Sequence, residues 1–133
     1  MILIDSSAFI EFLNRTGSPC DLVIDTLIRD DADCVIADVV LTELLHGVKN
    51  DREFRSVRDS LLNFPILSQK GISSYVQAAE LYRRCRQNGL TIRSTVDLLI
   101  AQIAMDHDAE LLHNDRDFVS IASVSTLKLY RIE

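Results

Sequence analysis

The chain opens on an apolar run that ends in a carboxylate: Ile2-Leu3-Ile4 leads straight into Asp5, and Ser6 and Ser7 begin a helical pattern. A short, unbroken apolar run of this kind belongs at the centre of a parallel sheet, where helices cover both faces. In open α/β sheets, ligands gather beyond the carboxyl ends of the strands. Asp5 therefore stands at the end of the molecule where chemistry is done, and the function turns on whether other acids join it there.

The rest of the chain alternates helical and strand patterns. Ala8, Phe9, Phe12 and Leu13 repeat at helical spacing until Gly17-Ser18-Pro19 stops them, and Leu22, Val23, Leu27 and Ile28 mark a second short helix. Cys34-Val35-Ile36-Ala37 reads as a second buried strand, after which Asp38 is expected to N-cap a helix reaching residue 48. Residues 51–63 form a further helical pattern with Phe54, Val57, Leu61 and Leu62 turned inward, and Pro65 marks residues 64–67 as an edge strand or a strand start. Ile72, Tyr75, Val76, Ala79, Tyr82 and Cys85 define the expected inner face of a long helix ended by Gly89. Residues 95–107 are apolar almost all round, so that helix is expected to be buried. A strand over 110–113, a loop and short helix over 114–121 and a closing strand over 127–132 complete the pattern. Strands alternating with helices imply one domain over residues 1–133, a three-layer α/β/α sandwich with a mainly parallel central sheet.

Composition narrows the function classes. Apolar residues make up 47% of the chain with only two prolines, which excludes a disordered chain. No apolar run approaches the length of a membrane span, and no charged leader or cleavage site precedes the first strand, so a soluble, cytoplasmic protein is expected. Cys20, Cys34 and Cys85 are odd in number and set in apolar patterns, as small core hydrophobes are in a reducing compartment. The net charge of −6 opposes phosphate binding in general. Arg83, Arg84, Arg86 and Arg93 nevertheless fall within eleven residues, either as a phosphate-contacting flank or as a solvated helix end that complements the macrodipole.

Four acids stand out, and each has an ordinary explanation. Asp5 and Asp115 could cap the helices that follow them; Glu43 could face solvent; Asp97 could be the third residue of a capping box opened by Ser94. Asp117 shares the explanation given for Asp115. Together they are harder to dismiss. Asp5 and Asp115 follow buried strands while Glu43 and Asp97 lie near helix amino ends, and in a doubly wound sheet these are one end of the molecule. Carboxylates converging there repel one another unless a cation holds them. With no His or Cys at ligand spacing, oxygen-only ligation suits Mg²⁺ or Mn²⁺ and points to phosphoryl chemistry.

Four segments carry a family resemblance: 2–10 (ILIDSSAFI), 42–47 (TELLHG), 95–101 (TVDLLIA) and 113–118 (HNDRDF). In order and spacing they resemble the signature segments of PIN-domain ribonucleases, in particular the VapC-type toxins of bacterial toxin–antitoxin pairs. The family's acidic positions fall on Asp5, Glu43, Asp97 and Asp115, with Asp117 able to assist or replace Asp115. The resemblance implies an Mg²⁺-dependent endoribonuclease that cuts structured RNA such as tRNA or rRNA and leaves a 5′-phosphate. It makes Asp5 and Asp97 the principal metal ligands, Asp115 a further or water-bridged ligand, and Glu43 the residue that orients or deprotonates the attacking water. Ser6 and Thr95 are candidates to fix a carboxylate or a substrate phosphate, and Arg83, Arg84, Arg86 and Arg93 a flank for RNA. A homodimer and a VapB-type antitoxin that places a basic residue in the acid pocket are further implications.

Other readings account for less. A receiver-type phosphoacceptor needs an acid at the end of the middle strand, and residues 64–69 hold none. An aspartyl phosphatase wants a second Asp two places after Asp5, where Ser7 stands. A PIN nuclease of RNA processing and a non-catalytic PIN-like binding module remain as alternatives.

Overall fold

In the computed structural model, which describes residues 1–133, the opening run is strand β1 (Ile2–Ile4), followed by helices α1 (Ser6–Leu13) and α2 (Pro19–Arg29). Ser18 caps α2 through the Asp21 N–H, and Pro19 takes the first helical position, where its missing N–H costs nothing. Then come β2 (Cys34–Ala37), α3 (Asp38–Leu45), α4 (Asp51–Leu61), β3 (Ile66–Leu67), α5 (Ile72–Gln87), α6 (Thr95–Asp106), β4 (Glu110–Leu112), α7 (Arg116–Ser123) and β5 (Lys128–Leu129). The five strands form one sheet in the order β3-β2-β1-β4-β5, and every pairing is parallel. Leu3 pairs with Val35 on one side and with Leu111 on the other, so β1 is the central rail. Helices flank the sheet as the outer layers of the expected sandwich. No helix is long and apolar enough to cross a membrane.

One core fills the space between the layers. Leu3, Ile4, Ile36, Leu111 and Leu112 of the strands meet Phe9, Ile100, Ile103 and Phe118 of the helices, all of them fully buried. The three cysteines are buried and unpaired within it. Leu111 has no exposed surface, so Leu111→Ala leaves a cavity that the flanking strands cannot close. Urea unfolding should report a loss of about 2–5 kcal/mol for that change.

Several expectations need correction. Asp38 is the first residue of α3, not its cap; Ala37 takes the cap position, and the helix stops at Leu45. Leu62 lies beyond α4 and faces solvent, because α4 ends one residue earlier. The edge strands are short: β3 keeps only Ile66–Leu67 and β5 only Lys128–Leu129. The largest difference is the rotation of α5. Its buried residues are Ser74, Ala78, Leu81 and Cys85, while Ile72, Tyr75, Val76 and Tyr82 are exposed. A polar contact sets that rotation: Ser74 Oγ donates to Asp106 Oδ2 at 2.6 Å, and Gln102 Nε2 links Gln77 to Asp106. The bond to half-buried Asp106 satisfies the buried Ser74 hydroxyl, and Ala78, Leu81 and Cys85 fill the rest of the inner face while the larger apolar residues turn outward.

Candidate active site

The acids meet where β1 and β4 end side by side. Asp5 ends β1 and is 2% exposed; Asp115 follows β4 and opens α7. Both are helix caps, as their positions suggest: Asp5 Oδ2 accepts from the Ser7 N–H and Asp115 Oδ1 from the Asp117 N–H, each at 3.0 Å. Capping occupies one oxygen of Asp5 and leaves the other, Oδ1, buried without any hydrogen-bond partner. An orphaned buried carboxylate oxygen is costly and calls for a partner.

Asp97 comes from the first turn of α6 and is 8% exposed. The capping box that would explain Asp97 locally does not form, since Ser94 makes no side-chain cap contact. Asp97 therefore faces the other acids. Burial first, and then the charges of Asp5, Asp115, Glu43 and Asp117, push its carboxyl up to about 7. Asp97, Asp115 and Asp117 each offer an oxygen within 4.8 Å of the others. Asp117 thus joins the tight trio, and it is more buried than Asp115. Asp5 and Glu43 stand outside that trio but act on it through their charges.

Glu43 reaches the same end from the last turn of α3, not from near the amino end of its helix as expected, because α3 begins at Asp38 and stops at Leu45. Its Oε1 accepts from Ser6 Oγ at 3.1 Å, while burial raises its carboxyl above the usual range despite that bond. Thr95 opens α6 beside the site.

Two further residues support the acids. Ser7 Oγ donates to Asp5 Oδ2 and accepts from the Asn114 N–H at 2.9 Å, tying the end of β1 to the loop after β4. His113 Nδ1 accepts from the Asp115 N–H at 3.1 Å, which puts the ring proton on Nε2, and burial lowers its imidazole pKa. A serine two places after an acid is a local capping signal, but contacts across 107 residues leave no trace in the pattern.

The arginines divide. Arg83 and Arg93 line one groove of about 650 Å³ with Tyr75, Tyr82 and Thr95. Arg84 turns away and donates to the Val124 carbonyl at 3.2 Å, and Arg86 is exposed near the end of α5. Arg93 reaches the acids themselves: Nη2 lies 3.3 Å from Asp115 Oδ1 and Nε 3.2 Å from Asp117 Oδ2.

A donor set made only of carboxylate oxygens, one of them orphaned and one whose carboxyl is pushed up to about 7 by burial and then by its neighbours, fits a hard divalent cation. The PIN-domain family model matches residues 2–124, a span that takes in every one of these acids. The chain belongs to the PIN-domain family. Among PIN proteins it is 33% identical to ribonuclease VapC11 of Mycobacterium tuberculosis over 129 residues, 96% of each chain, which places it with the VapC ribonucleases. The PIN fold is shared with VapBC2 from Rickettsia felis bound to a fragment of its promoter DNA (TM-score 0.77, 24% identity, 98% of both chains). It is shared also with VapC20 of M. tuberculosis, a sarcin–ricin loop cleaving toxin (TM-score 0.66, 17% identity, 96% and 99% of the chains).

Proposed function

We propose that this PIN protein is the toxin of a type II toxin–antitoxin pair: an Mg²⁺-dependent endoribonuclease acting in the cytoplasm on structured RNA such as tRNA or rRNA. The observation that carries the reading is the convergence of Asp97, Asp115 and Asp117 with Asp5 and Glu43 beyond the ends of β1 and β4. Asp5 and Asp97 would hold the ion, with Asp115 completing its surroundings directly or through water. Bound there, a divalent ion lowers the pKa of a water molecule and neutralises charge on the phosphate.

The chain's own groups do the rest. Asp5 presents its unbonded Oδ1 because Ser7 occupies Oδ2. Glu43 has Oε1 held by Ser6, which leaves Oε2 to orient the attacking water and take its proton. The raised pKa of Glu43 makes it a better base than an exposed glutamate. Arg83 and Arg93, which line one groove with Thr95, would carry the RNA backbone. The likeness to VapBC assemblies supports a VapB-type antitoxin as partner, and a homodimer is part of the same proposal.

Inducible expression of the wild-type protein and of Asp97→Asn, with mapping of new 5′ ends across cellular RNA, tests the reading. Discrete new 5′-phosphate ends are expected with the wild type alone. Equal growth arrest by both proteins, or no Mg²⁺-dependent cleavage by purified protein, would sink it. The arginine assignment has its own check in RNA binding against salt. Arg83→Ala should reduce the slope of log K against log salt by about 1, and Arg84→Ala should leave it unchanged.

A further inference from the structure

Arg93 is the cation in direct contact with the acid cluster. Its backbone N–H and its Nε both donate to Asp117 Oδ2, at 3.3 and 3.2 Å, and Nη2 donates to Asp115 Oδ1 at 3.3 Å. Asp115 Oδ1 also accepts the Asp117 N–H, so the protein binds one oxygen of each carboxylate and leaves the other free. The two acids are held in place while their net charge is partly balanced from within the chain. The contact is built to yield. The Arg93 side chain is 63% exposed, and ion pairs of that exposure are weak and regain side-chain freedom when they open.

We propose that Arg93 is a built-in counter-ion that balances Asp115 and Asp117 while no divalent ion is present, and thereby sets metal affinity by competing for their charge. The inference rests on the metal-dependent reading above. A divalent ion brings twice the charge to the free oxygens of the same carboxylates and weakens the hold of the guanidinium. The released side chain stays on the rim of the groove it shares with Arg83, where its planar fork suits a phosphate. Arg93 is thus a positioning residue that couples metal loading to the grip on RNA.

Calorimetric titration of Mn²⁺ into RNA-free protein at pH 8 and low salt, with thermal unfolding in EDTA, tests it. Arg93→Gln should bind Mn²⁺ about five- to tenfold more tightly than the wild type. Arg93→Lys, which keeps the charge, should stay within about twofold of the wild type. Arg55→Gln makes the same charge change on the exposed face of α4 and should leave affinity unaltered. In EDTA the unfolding midpoint of Arg93→Gln should lie below that of the wild type, and saturating Mn²⁺ should close the gap. Unchanged or weaker Mn²⁺ binding by Arg93→Gln overturns the proposal, as does an intact midpoint in EDTA, an equal gain in Arg55→Gln, or an Arg93→Lys protein that behaves like Arg93→Gln. If the wild type itself takes up no Mn²⁺, the metal-dependent function fails and this inference with it. If the wild type binds Mn²⁺ and only the predicted differences are missing, the inference alone fails.

Discussion

Asp97→Asn is expected to lose RNA cleavage by roughly 100-fold or more, since even partners outside a metal's ligand shell cost 10–100-fold, yet to stabilise the metal-free protein. The carboxyl of Asp97 is raised to about 7 by burial and by four neighbouring acids, so the folded chain binds its proton more tightly than the unfolded chain does. A group raised in this way favours folding below its unfolded value near 3.8, and that contribution is lost as pH rises through about 7. At pH 8 the wild type carries the ionised, repelled form; asparagine removes it. The gain at pH 8 should be on the order of 2 kcal/mol, or roughly 5–10 °C in the unfolding midpoint of a domain of this size. As pH falls to the unfolded value near 3.8, where Asp97 is protonated in the folded and unfolded chain alike, the two midpoints should converge. Metal binding has the opposite sign, because the ion needs the ionised form: affinity should climb as pH rises through 7, and a saturating divalent ion should stabilise the wild type well above the variant. A variant that is less stable than the wild type at pH 8 in EDTA would remove the electrostatic account of the site.

Ser7→Ala is the second large effect. The hydroxyl is shared between Asp5 Oδ2 and the Asn114 N–H, so its loss frees the Asp5 carboxylate to rotate and unties the loop after β4. Partners that orient a metal ligand are worth 10–100-fold in affinity or activity. A fall of roughly that size in Mn²⁺ affinity is expected, with a cost to stability of only about 1–2 kcal/mol for one lost side-chain network. Ser6→Ala, which touches Glu43 alone, should slow cleavage while leaving Mn²⁺ affinity near the wild-type value. Equal effects of the two substitutions on metal affinity would contradict the separate roles given to Asp5 and Glu43.

Much of the fold was open to reading because local rules and the tertiary structure agree. The runs at Ile2–Ile4, Cys34–Ala37 and Leu111–Leu112 are short and apolar because both faces of the sheet are covered there, and the all-round apolar pattern of α6 has the same cause. The rotation of α5 was not open to reading. A count of apolar residues favours Ile72, Tyr75, Val76 and Tyr82 as the inner face, yet Ser74 is drawn inward by Asp106, a residue on another helix. Hydrophobic periodicity records the preference of a helix taken alone, and a polar contact between helices that satisfies a buried hydroxyl can shift it.

At the site the division is similar. The sequence alone determined that Asp5 and Asp115 follow strands and that Asp97 opens a helix, because a parallel sheet puts the carboxyl ends of its strands at one end; Glu43 comes instead from the last turn of α3. The sequence offered helix capping as an alternative for Asp5 and Asp115, and both acids do cap, a contact made within two residues. Only the tertiary structure decided that Asp117 completes the trio with Asp97 and Asp115, that the Ser94 box stays open, and that Ser7 and Arg93 hold acids distant in the chain. Capping and burial are local or periodic and leave a pattern along the chain. Charge repulsion, and the side chains that relieve it, depend on distances that exist only once the sheet has brought β1 and β4 together.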